Sequence, residues 1–453
     1  MRRLAHGIAR AAGVASRSLG RGGGTSVPGA VLLRMRPQAI SELAADLSDG
    51  SACISATNGK TTTARLLAAC LDRNGTRVLA NTAGANLGSG IATVLLARSD
   101  EQFGLFEVDE AALPDVALAL EPRVLVLMNL FRDQLDRYGE LETIADLWAS
   151  LMRELPAETT LVVNADDPAL ADLPAGERRV LWFGLEDTRH ALEVLPHAAD
   201  SRRCRRCGSG LAYDAPLLGH LGHWRCDSCD LARPRPAVAA SRVELDGVLG
   251  QDIVIDTPRG AVRSRLSLPG LHNAYNATAA AAAAIALDVA PQVISPALSA
   301  TAPAFGRAER VRLETQDVLI LLAKNPAGVN QNVRTLLLEE GPLDVMIALN
   351  DRTADGQDVS WIWDVDYEPL IPRLRSLTLT GERAYDLGLR FRYADAPGEL
   401  IYAQPDLPLA LDRATREALK GGTLFALPSY TAMLDLREEL VRRGVATEFW
   451  RDG

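Results

Sequence analysis

The chain has 453 residues, 47% hydrophobic and 23% charged, the profile of a globular protein with room for roughly two to three domains. A net charge of −10 argues against a general nucleic-acid-binding role. No apolar run approaches the roughly 18–20 residues needed to span a bilayer.

Taken in chain order, the first 21 residues hold five arginines, one histidine and no acid. They superficially look like a transit peptide. Because they run straight into Gly22-Gly-Gly-Thr-Ser-Val-Pro-Gly29, they read instead as a lead-in to the first domain, residues 1–40. Next, Ser51–Ser55 reads as a short buried strand and Ala64–Arg73 as a helix. Between them stands Ser55-Ala-Thr-Asn-Gly-Lys-Thr-Thr-Thr63. A strand, a glycine turn and a helix N-terminus aim several backbone N–H groups at one point, where an anion is stabilised. Lys60 then reaches terminal phosphates and the Thr61 hydroxyl holds Mg²⁺. The general phosphate-loop pattern asks for glycine where Ile54 stands, so the loop has its own spelling.

Phe103-Gly-Leu-Phe-Glu-Val-Asp-Glu110 is a strand ending in acids, and Glu107 is placed to hold the same Mg²⁺. Strand candidates at Phe103–Val108, Val124–Leu127 and Thr160–Val163 alternate with Ala/Leu-rich helices, which predicts a mostly parallel, doubly wound sheet. Residues 200–236 interrupt it. There Cys204-Arg-Arg-Cys207 and Cys226-Asp-Ser-Cys229 stand eighteen residues apart, a strong signal for a structural zinc ribbon with Cys204, Cys207, Cys226 and Cys229 as ligands. Arg202, Arg203, Arg205, Arg206 and Arg225 make the ribbon basic. The other two cysteines, Cys53 and Cys70, read as small core residues.

Strand-like sequence resumes over Val243–Val254, and an alanine-rich helix runs from Asn273 to about Leu287. Asn273 and Asn276 share its first-turn face, where amides either cap the helix or meet an adenine ring. A boundary is expected near Ala302–Arg310. Beyond it, Val318–Leu322, Val345–Leu349, Ser376–Thr380 and Thr423–Leu427 read as strands of a second α/β unit. Trp361 and Trp363 alternate as on a half-buried strand or an interface edge.

Five pieces together resemble the Mur ligase family of ATP-dependent ligases. They are Ala56-Thr-Asn-Gly-Lys-Thr-Thr62, Glu107, Asn129-Leu130 with Asp133-Gln-Leu-Asp136, Pro269-Gly-Leu-His-Asn-Ala-Tyr-Asn276 and Gly306-Arg-Ala-Glu309. The resemblance implies an α/β fold with a central P-loop ATPase domain over 41–305, the zinc ribbon inserted at 200–236, and a C-terminal Rossmann-like domain over 306–453. It assigns nucleotide contacts to Asn58, Gly59, Lys60, Thr61, Thr62, Asn273, Asn276 and Arg307, magnesium to Thr61 and Glu107, and catalytic roles to Lys60 and Glu107. Its reaction phosphorylates a carboxylate with ATP and lets an amine attack the acyl phosphate.

Three departures refine the resemblance. Only some fifty residues precede the loop, where family members carry a UDP-binding domain of about a hundred. Gln134 replaces the family's histidine, and no lysine stands near Trp148 to be carbamylated. The cysteine insertion is the third. These point to the branch of synthetase subunits that amidate the D-glutamate α-carboxylate of lipid II with ammonia from a separate GatD-type glutaminase. Asn325-Pro-Ala-Gly-Val-Asn330 and Asp355-Gly-Gln-Asp358-Val-Ser-Trp-Ile-Trp-Asp364 support that branch. The resemblance implies that a carboxylate of the latter segment orients the partner's histidine; Asp355 is the first choice and Asp358 the second. It further implies a heterodimer working in the cytoplasm at the inner membrane face. A stand-alone amino-acid ligase is the alternative, and a zinc-ribbon nucleic-acid adaptor would leave the phosphate loop unexplained.

Overall fold

The computed structural model describes residues 7–9, 11, 13, 26–81, 85–132, 141–173, 178–196, 199–303 and 306–446. The first sheet begins with six short strands: β1 (Ser51–Ser55), β2 (Val78–Ala80), β3 (Phe103–Glu107), β4 (Val124–Leu127), β5 (Thr160–Asn164) and β6 (Val180–Leu185). These runs are nearly continuously apolar because helices cover both faces of the sheet, so β1, β3, β4 and β5 are buried along their whole length. A two-stranded ribbon follows, β7 (Leu211–Leu218) and β8 (Leu221–Cys226). Three longer strands, β9 (Val238–Asp246), β10 (Gly250–Thr257) and β11 (Gly260–Leu266), then complete the sheet.

The order is β11-β10-β9-β6-β5-β4-β1-β3-β2, parallel from β2 to β9 and antiparallel beyond. The strand-like sequence expected over Val243–Val254 belongs to the β9–β10 hairpin, turned at Gly247–Leu249. Glycines at 247 and 250 take positive φ there, a turn signal that breaks the apolar run. The order reverses around β1, which lies between β4 and β3, so the crevice at the carboxyl ends of these strands opens just beyond Ser55.

On one face lies the alanine-rich helix Leu271–Ala286, in which every side chain except His272 is buried. It packs on the helix Lys60–Arg73 and over β5, β6 and β9. Methyl-sized side chains let it approach both neighbours closely, and a helix buried all round needs no polar face. The opposite face is covered by helices Gly88–Ala97, Leu113–Leu120 and Leu141–Glu154. The helix Val27–Met35 packs on Gly88–Ala97 so tightly that a Cβ on Gly29 would stand 1.8 Å from the Ser89 carbonyl oxygen.

The second sheet has β12 (Arg307–Arg312), β13 (Asp317–Leu321), β14 (Leu343–Ala348), β15 (Leu374–Thr380), β16 (Ile401–Ala403) and β17 (Thr423–Pro428). Its order is β12-β13-β17-β14-β15-β16, parallel except for the β12–β13 pair. The segment with two tryptophans is a 3₁₀ turn over Ser360–Asp364 and not a strand. Ile362 anchors it in the core at 1% exposure while Trp363 stands 43% exposed, and the Asp358 carboxylate accepts the Ser360 N–H at 2.8 Å. Three-residue turns send successive side chains in different directions, so the alternation of Trp361 and Trp363 does not mark a pleat. Among the described residues no helix is long and apolar enough to cross a membrane.

Candidate active site around the phosphate loop

The loop after β1 is clamped by hydrogen bonds to Asn129 and Phe131. The Thr57 N–H donates to the Asn129 carbonyl at 3.0 Å. The Asn58 N–H donates to Asn129 Oδ1 at 2.9 Å, and Asn129 Nδ2 returns a bond to the Asn58 carbonyl at 3.0 Å. Thr57 Oγ1 both donates to the Phe131 carbonyl and accepts the Phe131 N–H, at 3.2 and 3.0 Å. Gly59 takes φ 94°, and a Cβ there would stand 2.1 Å from Asn276 Oδ1. Glycine is therefore required twice, for its backbone and for its missing methyl. The helix Lys60–Arg73 starts with no side-chain cap and no acid in its first turn, so its leading N–H groups are left for an anion. Thr62 is buried in that first turn.

Thr61 Oγ1 donates to Glu107 Oε2 at 2.7 Å, and Glu107 ends β3 directly beside Ile54 of β1. Asn81 fixes Glu107 by accepting its N–H at 2.9 Å and donating to its carbonyl at 2.8 Å. Two hard oxygen donors thus meet at the mouth of the loop, the donor set that suits Mg²⁺. Lys60 Nζ donates to Glu110 Oε2 at 2.7 Å and to the Ala56 carbonyl. Burial pulls the Lys60 pKa down, but Glu110, Asp109 and Glu107 outweigh it and hold the ammonium above its usual range. Burial pushes Glu110 up, yet Lys60 and Lys324 keep it below the usual carboxylate range. Both charges therefore persist at neutral pH. Trp148 Nε1 donates to the Glu110 carbonyl at 2.9 Å and anchors the acid from the helix side.

The second unit reaches the same loop. Lys324 Nζ donates to the Thr57 carbonyl at 3.2 Å, and Asn325 exchanges amide bonds with Asn58 at 3.0 and 3.4 Å. Asn325 also caps the helix Pro326–Leu336 by accepting the Gly328 N–H. Neither residue stood among the sequence-derived site residues. A signal was available: the chain has only three lysines, and two of them, Lys60 and Lys324, meet here.

Asn273 and Asn276 lie beside the loop, buried, with Asn276 Nδ2 donating to Asn273 Oδ1 at 2.9 Å and Asn273 Nδ2 to the Pro269 carbonyl at 2.7 Å. In this arrangement the two amides bond to each other and to the Pro269 carbonyl, and neither caps the helix N-terminus. Arg307 opens β12 close enough to Glu107 to be attracted by it, while burial lowers its pKa. Burial, assisted by Arg307, pushes the neighbouring His272 imidazole down to about 4, so it is neutral. The Asp133–Asp136 motif, with Gln134, lies outside the described residues.

The four ribbon cysteines come together, with all Sγ atoms within 4.8 Å of one another. Cys204 and Cys229 are 3.6 Å apart and Cys207 and Cys226 3.4 Å. Four thiolates around zinc at about 2.3 Å would stand about 3.8 Å apart, so the cluster fits that ion. The ribbon's basic character is locally compensated: Arg205 pairs with Asp146 at 2.6 Å, Arg206 with Asp172 at 2.7 Å and Arg225 with Asp214. Burial pushes the Cys53 and Cys70 thiols up to about 12, the behaviour of inert core cysteines.

Asp355 and Asp358 differ from each other in burial and partners. Asp355 is 7% exposed and accepts both the Thr431 N–H, at 2.8 Å, and the Thr431 hydroxyl. Asp358 is exposed, and the Ser360 hydroxyl and N–H hold its carboxyl below the usual range.

Residues 54–220 match the family model of the Mur ligase middle domain, and residues 322–433 match that of the MurT ligase C-terminal domain. The chain is 31% identical to the lipid II isoglutaminyl synthase (glutamine-hydrolyzing) subunit MurT of Staphylococcus aureus strain N315, over 96% of this chain and 97% of that relative. It is 30% identical to the subunit of the same name from Streptococcus pneumoniae, over 94% of each. Among solved structures, MurF from Acinetobacter baumannii superposes with a TM-score of 0.65 at 20% identity, covering 92% of this chain and 80% of that one. Folylpolyglutamate synthase of Mycobacterium tuberculosis, complexed with ADP and AMPPCP, gives 0.62 at 18% identity, covering 94% and 99%. These two likenesses show the Mur ligase-like α/β fold.

Proposed function

The chain belongs to the Mur ligase family, in its MurT branch, and from that membership we propose the reaction, the cofactors and the partner. The reaction is the ATP-dependent amidation of the D-glutamate α-carboxylate of lipid II to D-isoglutamine, carried out by the synthetase subunit of a glutamine-hydrolysing ligase. The observation that carries the reading is the Lys60–Thr61 loop with Glu107 hydrogen-bonded at its mouth, in a chain alike to MurT subunits along nearly its whole length.

ATP phosphates lie on the open N–H groups of the helix Lys60–Arg73, with Asn58, Gly59 and Thr62 shaping the cradle. Lys60 turns from Glu110 toward the terminal phosphates, and Lys324 adds a second cation from the C-terminal unit. Asn273, Asn276 and Arg307 flank the rest of the nucleotide. Thr61 and Glu107 would hold Mg²⁺, which would supply charge neutralisation at the transferring phosphoryl group. The substrate carboxylate attacks the γ-phosphorus, the bond to the bridging oxygen breaks, ADP leaves and the carboxylate becomes an acyl phosphate. Ammonia then attacks the acyl carbon: a C–N bond forms, the nitrogen gives up a proton, the C–O bond to phosphate breaks, and phosphate leaves with the electron pair. Loop and lysines act here by fixing charge in place, and that positioning is most of what phosphoryl transfer asks of a protein.

Ammonia comes from a GatD-type glutaminase subunit in a heterodimer. Of the two acids proposed to meet its histidine, Asp358 is the one exposed to a partner, whereas Asp355 is engaged by Thr431. The four ribbon cysteines would hold zinc, which would supply folding free energy to a hairpin with little core of its own. The lipid-linked substrate places the work at the inner face of the plasma membrane.

The test is amidation of lipid II by the chain with its glutaminase partner and ATP, using glutamine or ammonium as nitrogen source. Lys60→Ala is expected to abolish product with both sources while the partner still co-purifies. Full activity in that variant would refute the loop assignment.

A further inference from the structure

Asp166 is a buried acid that the reaction above does not use. It follows β5 in the run Asn164-Ala-Asp-Asp-Pro168 and has no exposed surface. Its Oδ1 accepts Arg233 Nε at 2.7 Å. Its Oδ2 accepts the Tyr275 hydroxyl at 2.7 Å and the Leu185 N–H at 3.0 Å. A Cβ on Gly184 would stand 2.4 Å from Oδ1, so the carboxyl group is wedged against the backbone of β6. Burying an acid is costly unless donors complete it. Here the donors come from three separate elements, and the acid fixes those elements to one another.

One of these ties leads to the nucleotide side. Tyr275 lies in the first turn of the helix Leu271–Ala286, between Asn273 and Asn276 in sequence. Asn276 Oδ1 fills the space that a Cβ on Gly59 would need, and Asn276 Nδ2 donates to Asn273 Oδ1. Where the Tyr275 hydroxyl is held therefore decides how these two amides meet the phosphate loop.

Another leads into the ribbon. Arg233 lies four residues beyond Cys229, and its N–H donates to the Trp224 carbonyl at 3.1 Å. Its guanidinium spreads over Asp166, Glu186 and the Leu185 carbonyl at 2.7, 2.7 and 3.1 Å. Trp224 packs with Cys204, Cys226 and Leu231 in the ribbon's small core, and its Nε1 donates to the Ala165 carbonyl at 3.2 Å. The Gly222 N–H donates to the Asp166 carbonyl at 3.0 Å. Gly222, Trp224 and Arg233 thus all bond the ribbon to Ala165 and Asp166.

We propose that Asp166 is a positioning residue for nucleotide binding: held by Arg233 from the ribbon side, it holds Tyr275, and through it Asn273 and Asn276, against the phosphate loop. The proposal rests on the nucleotide reading above. It gives the ribbon a task at the ATP site. Lys60, Thr61 and Glu107 are held by Glu110 and Asn81 and by each other. Asp166 therefore bears on how tightly nucleotide is bound and not on the phosphoryl-transfer step.

The test compares Tyr275→Phe, Arg233→Met and the double variant, each as the full chain paired with the glutaminase subunit. Calorimetry reads binding of Mg·ADP, and steady-state kinetics with ammonium as nitrogen source reads KM for ATP and kcat. Each single variant is expected to weaken Mg·ADP binding and raise KM about ten-fold, with kcat within about two-fold of wild type. The double variant is expected to lose no more than the weaker-binding single, because both act through one carboxyl group. Mg·ADP affinity within about two-fold of wild type in either single variant overturns the positioning. So does a fall in kcat at unchanged KM, or a double variant that shows the product of the two losses. Tyr275→Phe removes only a hydroxyl; should Arg233→Met not fold, Trp224→Phe, which removes the indole bond to Ala165, takes its place. Failure of the nucleotide reading would show separately, as wild type that binds no Mg·ADP, and would overturn the positioning with it.

Discussion

Lys324 donates to the carbonyl oxygen of Thr57 across 267 residues of chain, so the C-terminal unit puts an ammonium group on the backbone of the phosphate loop. The same lysine helps Lys60 keep Glu110 ionised. Three charges from three elements thus bear on the few ångströms where the terminal phosphates are proposed to lie.

Lys324→Met removes this cation and keeps its bulk. Loss of one preorganised charge at a reacting phosphoryl group costs about 100-fold in rate, and that loss is expected with both glutamine and ammonium. Steady-state kinetics at saturating ATP reads it. A variant within about two-fold of wild type would leave Lys324 a purely structural tie.

Glu110→Gln is expected to destabilise the fold in a pH-dependent way. The folded pKa of Glu110 lies below the unfolded value of about 4.3. Its stabilisation is therefore complete above that value and is lost as pH falls through the folded pKa. Breaking one side of a buried pair costs about 3 kcal/mol, so denaturation midpoints of variant and wild type should differ clearly at pH 7 and converge below about pH 4. Equal gaps at both pH values would show that Glu110 is not charged in the fold.

Asp358→Asn should lower glutamine-driven amidation about ten-fold or more and spare the ammonium reaction, since only delivery by the partner is affected. Asp355→Asn should instead cost about 1–2 kcal/mol of stability through its bonds to Thr431 and act alike on both nitrogen sources. If the selective loss appears in Asp355→Asn, the buried acid is the one that turns toward the partner.

Cys204→Ser should drop bound zinc, measured by metal analysis, and expose the ribbon to proteolysis between Arg202 and Arg235. Unchanged zinc content would take Cys204 out of the metal site.

Local pattern announced much of the fold. Ile54 and Ser55 before a Gly-Lys-Thr turn announce the loop, because anion binding by a helix N-terminus is a short-range device. The expected strands Val318–Leu322, Val345–Leu349, Ser376–Thr380 and Thr423–Leu427 correspond to β13, β14, β15 and β17 within a few residues. What the sequence hid was long-range or irregular. Lys324 and Asn325 act on Thr57 and Asn58 only after two sheets have packed. His220 meets Phe131, which lies 89 positions earlier in the chain, only once the β7–β8 ribbon has packed on the first sheet. Trp361 and Trp363 misled because two aromatics one residue apart fit a pleat and a tight turn equally well until Ile362 is seen in the core.

The alanine helix Leu271–Ala286 has a consequence for how the nucleotide pocket keeps its shape. Nine of its side chains are methyl groups, and a methyl surface has shallow ridges, so packing alone holds its sliding and rotation weakly. What pins it is the first turn, where Tyr275 donates to Asp166 at 2.7 Å and Asn276 touches Gly59 through the space a methyl would fill. Asn276, proposed to flank the nucleotide, is therefore also one of the residues that set the helix in register. A substitution there would shift a whole wall of the domain, and a lesion meant to probe ligand contact would be read as a lesion of the fold.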